Sequence, residues 1–185
     1  MSLPSLVIVP GAWHKPIHFR GLVDELPDVD VHTVTLTSSG DDPATLRDMY
    51  ADAEVIAQAA AAIDGPVVVL AHSYGGVPTT QGLSEARNVR RIVYLAAFQL
   101  RAGESPQSRN GGSLMSWSRL HHGDGIDDYV EAMTPTKVFY NDVDTPTARR
   151  AVRADDVQRL STSHSPFLSQ PAALAGLILR SLADD

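Results

Sequence analysis

The stretch Val67-Val-Val-Leu-Ala-His-Ser-Tyr-Gly-Gly-Val-Pro-Thr79 decides the fold. Val67–Leu70 is a run of branched and aliphatic residues, the pattern of a strand buried on both faces. Ala71-His72-Ser73-Tyr74-Gly75 follows, and then a helix-like run. Strand, sharp turn and helix with a serine at the apex form a nucleophile elbow. Such a turn lifts the Ser73 hydroxyl clear of the backbone and holds that residue in a strained state. Residues two before and two after the serine must then be small, and Ala71 and Gly75 are. A plain strand–turn–helix of some other parallel-sheet protein is the competing reading of the same stretch.

Working outward, β-type and helix-type segments alternate. Strands are expected at Ser5–Val9, Val29–Leu36, Val67–Leu70 and Val89–Ala97, with a fifth at Thr136–Tyr140 and a last at Val157–Ser161. Helices are expected at Ile17–Leu26, Ala44–Ile63 (opened by Asp42 and Pro43), Val77–Ala86, Thr145–Ala154 and Pro171–Leu182, with a short one at Asp127–Met133. This order implies an α/β protein: a mostly parallel sheet of about six strands with helices on both faces. Phe98–Asp128 is irregular and glycine-rich, so residues 98–135 read as a lid or insert within one domain spanning 1–185.

Composition narrows the function. The chain has 185 residues, 43% of them hydrophobic and 20% charged, an ordinary globular balance. A net charge of −7 without a basic run argues against nucleic acid and anionic membrane surfaces. The absence of cysteine excludes disulfides and thiol chemistry. No apolar run approaches the ~20 residues that span a bilayer. No basic-then-apolar leader precedes the first strand, so the expected location is cytoplasmic.

Ligands in open α/β sheets bind outside the carboxyl ends of the strands. Ser73, the loop Pro10–His14 and His164 all fall there. Serine needs a base, and a histidine after the last strand is where the Ser…acid…His order puts it. A loop histidine capping the final helix is the alternative for His164. The oxyanion of an acyl-transfer intermediate needs preorganised donors, and the backbone N–H groups of Tyr74 and Ala12 are the candidates. Trp13, His14, Met115 and Trp117 are the candidate substrate-binding residues. His18, His32, His121 and His122 read as solvent-facing or lid residues, and His72 as a packing residue. His14 and His18 stand four residues apart, but nothing completes a metal site, so no metal and no cofactor is expected.

With these residues in place, the chain resembles the α/β-hydrolases, in particular the small esterases and hydroxynitrile-lyase-like members that include plant methylesterases. The resemblance rests on Val9–His14, Ala71–Gly76, Arg91–Phe98 and Ser163–Leu168. It implies Ser73 as nucleophile, His164 as base and Ala12 and Tyr74 as oxyanion donors. Two departures stand out: Pro10-Gly11 where the family opens with His-Gly, and only Asn141–Asp156 between Tyr140 and the expected last strand. Relatives carry several tens of residues more there, including a strand and the triad acid. Asp144, followed by Thr145-Pro146 and a helix, is the leading acid. Asp142 fits the other reading, a lid motif remote from His164, and a chain without a functional acid is the third. The implied activities are cleavage of a small, mostly apolar ester, a hydroxynitrile-lyase-like C–C cleavage on the same residues, or ligand binding without turnover. The expected partner is a small-molecule ester; the oligomeric state is left open.

Overall fold

The computed structural model describes residues 3–144, 146 and 165–183. The expected helix Thr145–Ala154, the expected strand Val157–Ser161 and His164 lie outside the described residues.

Among the described residues, four parallel strands form the main sheet: β1 (Ser5–Val9), β2 (Val31–Thr33), β3 (Val67–His72) and β4 (Val89–Leu95), in the order β2-β1-β3-β4. All of β3 is buried. Side chains alternate across a strand, so each strand feeds two cores. Leu6, Ile8, Val68 and Leu70 face one side, with Phe19, Leu22, Phe167 and Ile178. Val7, Val9, Val67, Val69 and Ala71 face the other, with Ile56, Ala60 and Leu83. α1 (Arg20–Asp24), α6 (Pro166–Ser169) and α7 (Pro171–Ala183) cover the first face. α2 (Met49–Ala61) and α3 (Gly76–Gly82) cover the second. A continuous apolar strand needs this double cover, which is why β3 lacks any polar–apolar alternation.

Three expectations need correction. The helix expected over Ala44–Ile63 is broken. Asp42 caps a short 3-10 turn at Pro43–Thr45, and Asp48 starts α2 by accepting from Ala51 N at 2.9 Å. The stretch expected as a fifth strand is helical: α5 spans Pro135–Phe139, with Pro135 at its first position. Val138-Phe139-Tyr140 is too short an apolar run to separate strand from helix by periodicity, and Pro at a helix start tips it. The short helix expected at Asp127–Met133 is instead β6 (Tyr129–Ala132), paired antiparallel with β5 (Ser118–His121). Cross-strand pairing favours it: the His121 ring stacks on Tyr129 at 4.9 Å and its Nε2 lies 2.8 Å from Glu131. With α4 (Pro106–Arg109), this hairpin makes up the regular part of the region expected to be a lid.

Candidate active site

Ser73 closes β3 and begins a 3-10 turn that runs into α3. Its φ is +53°, in the left-handed region that L-residues other than glycine enter only under constraint. The constraint comes from close packing. A Cβ on Gly11 would stand 2.7 Å from Ser73 Cβ, so the first loop lies directly against the elbow. A Cβ on Gly75 would overlap the carbonyl oxygen of Pro10. On the other side, Phe98 N–H donates to Ser73 O at 3.1 Å. The serine is therefore gripped between the ends of β1 and β4, as the elbow sequence requires.

The first loop is pinned on each side of Ala12. Gly11 O accepts from His14 N at 3.1 Å. A trans peptide puts the Ala12 N–H opposite that carbonyl. Ala12 O contacts His14 Nδ1 at 3.0 Å, and since a carbonyl only accepts, Nδ1 carries the proton. Trp13, itself at φ +62°, donates its N–H to Ser39 Oγ at 3.0 Å. Its indole Nε1 donates to Val130 O at 3.2 Å, tying the loop to the hairpin.

A cavity of about 450 Å³ opens above this floor. Ala12, Tyr74 and Phe98, which flank Ser73, line it, while Ser73 itself is 2% exposed and not among the lining residues; Trp13, Met115 and Trp117 form part of the wall. Leu46, Met49, Leu114 and Val130 add apolar surface. Trp13 and Trp117 meet edge to face at 6.4 Å, and both pack on Phe139.

His14 and His18 differ from their expected places. His14 does not line the cavity; it is 2% exposed, behind the loop, in edge-to-face contact with His18, His72, Phe139, Tyr140 and Phe167. Tyr140 Oη lies 3.4 Å from its Nε2. His18, expected at the surface, is buried, and its Nδ1 accepts from Lys15 N at 2.9 Å. His72 is fully buried and packs, as its flanking position suggests. Among the described residues no group of histidines and acids is arranged to hold a metal ion. Asp144 is exposed, and the core strand expected ahead of it is α5. Asp142 accepts from Ser169 Oγ at 3.1 Å.

One residue beside the site was not singled out from the sequence. Asp52 is fully buried and accepts from Tyr74 Oη at 3.0 Å and from the loop Thr37-Ser38. Burial, and next the Asp52 charge, push the Tyr74 phenol well above its ordinary value of 10.0. The signal was present: Asp52, Ile56 and Ala60 are spaced by four, which sets a carboxylate in the apolar stripe of α2.

The sequence pattern of the alpha/beta hydrolase family matches residues 6–179. Among curated proteins, probable hydrolase R7 of a Phoma species is 36% identical over 121 residues, covering 60% of this chain and 50% of that protein. Alpha/beta hydrolase nvfD of Aspergillus novofumigatus is 26% identical over 180 residues, 90% of this chain and 72% of that protein. The chain thus spans half the length of the first of these relatives. Among solved structures, a pyrethroid hydrolase from Sphingobium faniae aligns with a TM-score of 0.73 at 16% identity, over 98% of both chains. Tomato methylketone synthase I aligns at 0.70 and 14% identity, over 93% of this chain and 73% of that one. At these identities the two structures share the fold. No helix among the described residues is long and apolar enough to cross a membrane.

Proposed function

The chain belongs to the alpha/beta hydrolase family, and we propose that it is a serine hydrolase that cleaves a small, mostly apolar carboxylic ester through an acyl-enzyme on Ser73. The observation that carries this reading is the strained backbone of Ser73, φ +53°, at a strand–helix elbow whose neighbours Ala12, Tyr74 and Phe98 line a largely apolar cavity. Strain of this kind persists only where the surroundings impose it, and it is characteristic of functional positions.

In the proposed reaction, Ser73 Oγ attacks the ester carbonyl while His164 takes its proton. The carbonyl oxygen becomes an oxyanion, and the N–H groups of Tyr74 and Ala12 receive it. The pinning of the Gly11–Trp13 peptides supports a preorganised donor at Ala12. The intermediate collapses, His164 returns the proton to the leaving alkoxide, and water then releases the acyl group by the same steps. Asp144 is the acid assigned to orient His164, by the chain order of serine, acid and histidine. The size of the cavity and its wall of Trp13, Met115 and Trp117 support a compact apolar substrate.

The test is labelling with a fluorophosphonate, which reacts with an activated serine and needs no knowledge of the substrate. The intact chain should label and Ser73→Ala should not. Short-chain p-nitrophenyl esters then read turnover. A chain that neither labels nor hydrolyses them overturns the proposal.

A further inference from the structure

A carboxylate in the apolar stripe of a helix costs folding free energy unless its oxygens are hydrogen-bonded. The two oxygens of Asp52 divide that task. Oδ1 accepts from Thr37 N at 2.6 Å, Ser38 N at 3.1 Å and Thr37 Oγ1 at 2.9 Å, which fixes the backbone after β2. Oδ2 accepts from the Ser38 hydroxyl and from Tyr74 Oη at 3.0 Å. The same loop continues to Ser39, whose Oγ accepts from Trp13 N at 3.0 Å. One side chain therefore holds Tyr74 directly and reaches the Ala12–Trp13 peptide through three consecutive residues.

We propose that Asp52 is a positioning residue of the oxyanion hole, setting the donor at Tyr74 through the phenol and the donor at Ala12 through Thr37–Ser39 and Trp13. The inference rests on the serine-hydrolase reading above. Its basis is geometry and not charge, since an anion near a developing oxyanion repels it. Donors act on a transition state only when held in place beforehand, so slack in both is felt in kcat more than in KM. An acid that merely anchors α2 to the loop would alter stability and leave the turnover of folded molecules unchanged.

The experiment compares Asp52→Ala, Asp52→Asn, Tyr74→Phe and Ser39→Ala, with active sites counted by fluorophosphonate titration so that unfolded molecules drop out. Asp52→Ala should lower kcat by about ten- to a hundredfold with KM within about twofold, a fraction of the loss seen when a donor is deleted. Asp52→Asn should recover most of that loss. The Asn oxygen keeps the backbone donors of Thr37 and Ser38, and its amide can donate to the Ser38 and Tyr74 hydroxyls with the bond reversed. Tyr74→Phe and Ser39→Ala should each lower kcat partway, and Tyr74→Phe should add little on top of Asp52→Ala. If Asp52→Ala does not fold, Tyr74→Phe and Ser39→Ala decide alone. Unchanged kcat per titrated site, or a rise in KM with kcat unchanged, overturns the inference while the intact chain still labels. An intact chain that fails to label overturns the serine-hydrolase reading itself.

Discussion

Gly75→Ala tests the elbow packing with one methyl group. A Cβ there overlaps the Pro10 carbonyl oxygen and stands 2.9 Å from Val9 Cγ1 and 3.1 Å from Val9 O. None of these atoms is the end of a flexible side chain. Val9 is fully buried, and β1 is paired on both edges, with β2 and β3. Nor can α3 retreat easily, because Gly76 packs against the Phe98 carbonyl on its other side. Relief requires β1 or α3 to shift by roughly an ångström, and overpacking of a tight core costs about 1–3 kcal/mol, here near the upper end. For a domain of this size about 3 kcal/mol corresponds to a fall in Tm of roughly 6–12 °C. Gly176→Ala is the matched control. It lies inside α7, where, among the described residues, a Cβ meets nothing closer than an Arg180 guanidinium nitrogen at 3.8 Å. Removing glycine from a helix interior should stabilise by about 0.8–1 kcal/mol. Urea titration of both variants gives the two differences in opposite directions. A Gly75→Ala midpoint within about 0.5 kcal/mol of the parent, the usual scatter of neutral surface changes, would refute the packing argument.

Ser73→Ala should lower esterase activity by about 10^4-fold or more with the fold retained, as in other serine triads; substantial residual activity in the purified variant removes Ser73 from its role. kcat/KM should rise with pH through a single ionisation near neutrality, and a His164→Ala variant that keeps both the rate and that profile would exclude His164 as the base. Asp144→Asn should lower kcat by orders of magnitude if Asp144 orients His164; a change under about tenfold, some 1.4 kcal/mol of barrier, would assign it no catalytic part. The raised Tyr74 phenol has its own signature. A folded value above the unfolded 10.0 means the native state keeps a proton that the unfolded chain releases, so the contribution is whole below pH 10.0 and is lost as pH rises beyond it. Tyr74→Phe should flatten the alkaline fall of Tm, and an identical slope in both proteins would contradict that. Trp117→Ala should raise KM by removing part of the apolar wall of the cavity, measured with esters of increasing acyl length, while leaving the Ser73 labelling intact.

The elbow was legible because its constraints are local. Ala71, Ser73 and Gly75 state in five residues that a backbone must turn sharply without side-chain collision, and β3 states in four that it is covered on both faces. The hairpin β5–β6 and helix α5 were not legible, because short apolar runs carry no decisive period and their state depends on what they pack against. Tyr129 is in a strand because His121 and Glu131 meet across the hairpin, and α5 is a helix that brings Phe139 between Trp13 and Trp117. His14 shows the same limit within the site. Its position after β1 suggested a residue facing the substrate, yet side-chain direction in a loop is set by tertiary contacts, and these turn it inward onto Ala12 O and the buried aromatic rings. Asp52 lies between the two cases. The sequence by itself sets a carboxylate in line with Ile56 and Ala60, an anomaly readable from period alone. Only the tertiary structure, by folding the loop after β2 and the elbow tyrosine onto one helix, decides which donors satisfy it.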